Sequence, residues 1–152
     1  MSTFKGLFEL RTPADLIRKL RHDLERMEIS TFDQYAAFDF FVTAEHIVDW
    51  RYPANKSARE KLRASSPLLR ITSHLANGSK HFEATANHHR SVARTEKSRY
   101  IEKGYIKPGY FHEPLFVHLT PDEAHELGTP ILEAVALARQ VLEFWIKYGN
   151  TK

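Results

Sequence analysis

Arg70, His74, Asn77 and His81 follow one another at intervals of four, three and four in the stretch RITSHLANGSKHF. On a helix this spacing stacks them into one polar stripe. A histidine serves as general acid or base near neutral pH, and a neighbouring cation stabilises charge on a phosphate. The stripe exists only if the helix continues through Asn77-Gly78, a pair that ordinarily marks a turn or a helix end. Leu68, Ile71, Leu75 and Phe82 fall within about 60° of one another if it does continue, and a mid-helix glycine costs only about 1 kcal/mol. The periodicity therefore predicts a continuous helix, its polar stripe about 120° from the apolar centre. Gly78 lies between the two faces, where a missing side chain admits another backbone or a ligand.

Three readings fit such a stripe. Arg70 and the histidines can form a structural network with Glu45 and Asp49 on the preceding long helix, offsetting charges that are expensive when buried alone. His74 and His81 can join His46 and Asp49 in a metal site, although no His-Glu-x-x-His or Glu-x-x-His pattern occurs. The third reading is metal-independent RNA chemistry. The chain also lacks a glycine-rich phosphate loop, a nucleophile elbow and a dinucleotide fingerprint, so no cofactor is expected.

The segment ANGSKH resembles the signature region of HEPN-domain proteins, four- or five-helix bundles many of which are metal-independent ribonucleases, toxins or antiviral effectors. Their usual motif is an Arg, a polar residue that is often Asn, three or more positions, and then His. Asn77 and His81 stand at the fitting separation, whereas the arginine position holds Ala76. The resemblance implies that His81 is the general acid or base and that Asn77 orients it or the phosphate. Arg70, His74 or Lys80 would then stabilise charge, and the site would be assembled across a homodimer. Lys80 lies on a different side of the helix and lacks the bidentate fork of arginine. Arg70 is eleven helical steps from His81, about 16 Å along the axis.

TAEHIVDW and LANGSKHF together are similar to small uncharacterised bacterial and phage-type proteins with His-x-x-Asp-Trp and Ala-Asn-x-x-Lys-His. That similarity directs attention to Glu45, His46, Asp49 and Trp50 as a second-helix cluster facing Asn77, Lys80 and His81. Trp50 reads as a plug at the end of a bundle in preference to a stacking platform.

The charge distribution agrees with an anionic partner. The net charge is +3, but residues 51–107 carry thirteen Lys/Arg against four Asp/Glu, a local +9 between two acidic flanks. RNA or another nucleic acid is the first candidate, and a solvated basic face the plainer one. NHHRSVARTEKSRYIEKGYIK interleaves basic residues with Tyr100 and Tyr105, a composition suited to phosphate contact and base stacking. His88 and His89 point opposite ways there if the backbone is extended. The competing function is a non-catalytic helical module that binds protein or nucleic acid.

The elements that must position these residues are legible from caps and periodicity. Thr12, Pro13 and Asp15 open a helix whose buried face is Leu16, Leu20, Leu24 and Met27. Ser30 and Asp33 start the next, which Pro53 stops after Trp50; Ala37, Phe40, Phe41, Ala44, Ile47 and Val48 share one broad face. NKSAREKLR predicts a short basic helix, and Ser66-Pro67 opens the helix of the polar stripe. Residues 84–120 lose the helical period and read as a loop followed by an antiparallel hairpin near residues 100–120. TPDEAHELG is a capped turn closed by Gly128. Thr129 and Pro130 open the last helix, with Ile131, Val135, Ala138, Leu142 and Trp145 inward and Gly149 at its close.

The expected fold is mainly α, a four-helix bundle with a short β-hairpin insertion before the last helix, in one domain of 152 residues. A chain of this length buries roughly 70% of its unfolded surface, enough for one core. The absence of cysteine excludes disulfides and thiolate chemistry and is compatible with a reducing compartment. MSTFKGLFEL has no apolar run of signal-peptide type and no segment approaches a membrane-spanning length, so a cytoplasmic protein is expected.

Overall fold

The fold is described by a computed structural model at residues 3–82, 85–97 and 114–150. In chain order the elements are α1 (Pro13–Ile29), α2 (Gln34–Arg51), α3 (Lys56–Ala64), α4 (Pro67–His81), β1 (Val92–Lys97), β2 (Leu115–Leu119), α5 (Pro121–Leu127), β3 (Ile131–Glu133) and α6 (Ala134–Asn150). The described chain is mainly helical with one small antiparallel sheet in the order β1-β2-β3. Tyr100 and Tyr105 of the basic stretch lie outside the described residues.

The helix starts follow the local chemistry. Thr12 and Asp15 form a reciprocal capping box on α1, with Pro13 in its first turn. Asp33 caps α2 by accepting the N–H groups of Tyr35 and Ala36. Asp33→Ala should therefore destabilise the protein by about 1 kcal/mol in urea unfolding, and an unchanged transition midpoint would show the cap to be dispensable. Gly128 closes α5 in the left-handed region at φ 91°.

Among the described elements, α1, α2, α4 and α6 supply most of the buried core and β2 adds Val117 and Leu119. α1 packs on α2 and α6, while α4 lies against α2 and α6. Leu20, Phe40, Ile47, Leu69, Ile71, Leu137 and Trp145 are fully buried where these faces meet. Each such side chain contributes roughly 1.5–3 kcal/mol of apolar transfer. Asp23 is also buried on α1 and is held by Lys19 at 2.6 Å and Arg26 at 3.3 Å. Lys19 also donates to Thr43, and Arg26 reaches Asp39, so the ion pairs stitch α1 to α2.

Helix α4 does run unbroken through Asn77 and Gly78. Two details depart from the periodic reading. Phe82 falls outside the apolar stripe; it takes φ 64° as the C-cap and is 93% exposed. A Cβ built at Gly78 meets nothing within 4 Å, so no described backbone or side chain approaches there.

The β region departs further. The first strand of the hairpin is Val92–Lys97, earlier than the alternation predicts, and it pairs with β2 in a register that shifts between Val92 and Arg94. A third strand occupies the expected start of the last helix. Ile131, Leu132 and Glu133 pair with His118, Val117 and Phe116, and α6 begins only at Ala134. Ile131 is consequently half-exposed, while Val135, Ala138, Leu142 and Trp145 face the core as the stripe requires. Gly149 lies within the last turn and Asn150 ends the helix.

Candidate functional site

Helices α2, α3 and α4 and the segment before β1 enclose an open cleft of about 450 Å³. Phe38, Val42, Glu45, His46 and Asp49 reach it from α2, at steps that keep one helix face. Ser73, Ala76, Asn77 and Lys80 do the same from α4, Arg63 comes from the last turn of α3, and His88 enters from the segment before β1.

The centre of the cleft is an ion-pair cluster. Arg63 Nη2 lies 2.7 Å from Glu45 Oε1 and 3.0 Å from Asp49 Oδ1, while Arg59 Nε is 3.6 Å from Asp49. Glu45 is only 7% exposed. Burial pushes its carboxyl up to about 7; Arg63 opposes the rise, Asp49 adds to it, and hydrogen bonding from Arg63 and Ser73 lowers it. Glu45 Oε2 and Arg63 Nε are buried without a hydrogen-bond partner among the described residues. One carboxylate oxygen and one guanidinium N–H of the same ion pair are thus left without a described protein partner, an expensive arrangement for buried polar groups.

The residues singled out by sequence divide into two groups. Glu45, His46, Asp49, Asn77 and Lys80 converge on the cleft. Asn77 is oriented by its own helix, its side-chain N–H groups donating to the Ser73 carbonyl at 2.8 Å and hydroxyl at 3.4 Å. Trp50 is half-buried against the core and stays out of the lining. His81, the last residue of α4, is exposed and also outside the lining.

Arg70 and His74 belong to a different assembly. Arg70 grips the buried Glu123 through Nε at 3.0 Å and Nη2 at 2.7 Å, pairs with Glu126, and donates to the Ala64 carbonyl at 2.6 Å. Glu45 and Asp49, the partners expected for it, are taken by Arg63 instead. Glu123 also accepts the Ser91 hydroxyl at 2.6 Å, and although burial works against it, Arg70 and Ser91 hold its carboxyl below the ordinary range. His74 Nδ1 accepts the main-chain N–H groups of Val92 at 3.0 Å and Ser91 at 3.3 Å. Its ring lies 5.3 Å from that of His89, which in turn is 4.1 Å from His88. The neighbouring His88 and His89 therefore share one side of a turn, contrary to the extended reading.

Arg63 and Ser73 escaped the sequence reading, and His88, read there only as part of the basic stretch, joins the second-helix cluster. Arg59 and Arg63, four apart on a helix of basic character, carried a signal of their own, because the acidic face of α2 needed cations and this helix follows directly. Among the described residues no three His, Asp or Glu side chains converge to hold a metal ion. No described helix is long and apolar enough to cross a membrane. Comparison with protein families, curated proteins and solved structures returns no match for this chain.

Proposed function

We propose that this is an RNA-associated protein whose α2–α3–α4 cleft performs metal-independent phosphodiester cleavage, in the manner of HEPN-like ribonucleases. The observation that carries the reading is one cleft in which two histidines from separate elements, His46 and His88, meet Arg63, Lys80 and the buried Glu45. His46 and His88 are the general acid and base: one takes the proton of the ribose 2′-hydroxyl as its oxygen attacks phosphorus, and the other protonates the departing 5′-oxygen. Arg63 and Lys80 bear the phosphate charge, and Asn77 orients it. Protonation of Glu45, whose carboxyl burial raises to about 7, weakens one of the two carboxylate grips on Arg63 and leaves the exposed Asp49 for the phosphate to displace. The acid–base role that the resemblance implies for His81 passes to the histidines of the cleft. In this reading the four long helices are the bundle of that class, acting as a homodimer in the cytoplasm.

The test is incubation of the full chain with single-stranded and structured RNA in the presence of a chelator, with products followed by mass spectrometry. Expected are 2′,3′-cyclic phosphate and 5′-hydroxyl ends, with rates about 10²–10⁴-fold lower in His46→Ala or His88→Ala. Cleavage that survives both substitutions overturns the reading. The clamp of Glu45 and Asp49 on Arg63 favours a second reading, a nucleic-acid-binding module without turnover. Salt-sensitive binding that weakens in Arg63→Ala and Lys80→Ala, with intact RNA recovered, would establish that alternative.

A further inference from the structure

We propose that His74 is a positioning residue that holds residues 85–91, and with them His88, against the cleft, and that it releases them when it takes a proton. The inference rests on the reading of the cleft as the functional site. A ring nitrogen that accepts two main-chain N–H groups carries no hydrogen, so His74 is neutral with its proton on Nε2. A proton arriving at Nδ1 would set N–H against N–H and break both bonds. The row of rings from His74 through His89 to His88 carries that change from α4 to the cleft wall.

A second tether determines what moves. Ser91 is also fixed by its hydroxyl to Glu123, its carbonyl accepts the Thr120 N–H at 3.0 Å, and the Arg90 carbonyl accepts the Thr120 hydroxyl at 2.6 Å. Release of His74 therefore swings residues 85–89 about the tethered Arg90–Ser91 step and leaves the β1–β2 pairing in place. The charged and titratable neighbours are His88 and His89 on the segment itself, His81 on α4, Arg63 on α3, and Glu123 on α5, which Arg70 already engages. Burial holds the His74 ring below its usual range and His88 adds to the shift. The sign follows: the tether is complete above the ordinary histidine range and is lost as pH falls through the lowered value.

The experiment uses the full chain and needs no RNA. Amide exchange of Ser91 and Val92 and the ring resonances of His74 and His88 are followed by NMR from pH 7.5 to 4.5 in wild type, His74→Asn and His74→Ala. Asn places an acceptor that does not titrate where Nδ1 lies. Expected in wild type is faster Ser91 and Val92 exchange, by about tenfold once the intrinsic pH dependence is removed, at the midpoint of the His74 ring. His74→Asn should keep protection across the whole range, and His74→Ala should lose it at every pH while α2 and α6 amides stay protected. Wild-type protection that ignores the His74 titration overturns the proposal, and so does loss of the pH response in neither variant. If His74→Ala does not fold, wild type and His74→Asn still decide it. Failure of RNA cleavage with this pattern intact removes the assigned chemistry alone; cleavage with protection insensitive to His74 removes the positioning role alone.

Discussion

Glu45→Gln is expected to gain stability over the wild type by about 3 kcal/mol as pH rises from 4.5 to 8. In the unfolded chain the Glu45 carboxyl ionises near its ordinary value of 4.5; in the fold, burial raises this to about 7. Between those values the native state keeps a proton that the unfolded state has lost. Wild-type stability from this group is therefore full below pH 4.5 and falls as pH rises through 7. Glutamine has no such proton to lose. His89 works in the opposite sense, since burial first and then His88 and His74 hold its ring down to about 4, so its contribution is lost on acidification. It is present in both proteins and cancels in their difference. Urea unfolding of the pair at pH 4.5, 6 and 8 checks this, and a difference that stays flat would show that Glu45 is solvated as an ordinary carboxylate.

Glu123→Ala should cost about 3–5 kcal/mol, because it strips a bidentate partner from Arg70 and leaves the Ser91 hydroxyl unpaired in the same step. Glu123 is 5% exposed, so solvent replaces it poorly. The double substitution Arg70→Met with Glu123→Leu should cost less than Glu123→Ala alone, since no buried charge is then left without its counterpart and the exposed Glu126 returns to solvent. Chemical denaturation of the single and double variants decides the matter. A single variant within about 1 kcal/mol of wild type would mean that Glu126 and the Ala64 carbonyl hold Arg70 well enough by themselves.

Caps and helix faces were legible in the sequence because they are local. Thr12 with Asp15 forms a capping box, Asp33 caps α2, and the broad face from Ala37 to Val48 is buried. Continuity of α4 followed from the same reasoning, apolar period against the modest cost of Gly78. What periodicity cannot supply is the neighbour. A helical wheel placed Arg70 on a polar stripe and the acids of α2 within reach, but the short helix α3 folds back first, and its Arg63 takes both acids. Arg70 then finds a carboxylate on α5, in sequence far beyond any local signal.

The strand β3 was hidden for a related reason. Thr129-Pro130 carries the local chemistry of a helix start, while pairing with Phe116, Val117 and His118 is a tertiary gain that the tripeptide does not announce. The place of His88 beside the second-helix cluster was not legible because a turn brings its ring beside that of His89, and turn geometry overrides the alternation of an extended chain.

The described side chains that line the cleft all come from residues 38–88, with α1, the sheet, α5 and α6 packed behind or beside them. Chain closures between these residues are short, and the entropy of closing a loop grows only slowly with its length. The cleft is therefore a nearly contiguous folding neighbourhood. Substitutions in α1 and α6 reach it through the population of folded molecules, whereas those between Phe38 and His88, and at the Ser91, Thr120 and Glu123 tethers, act on the shape of the site itself.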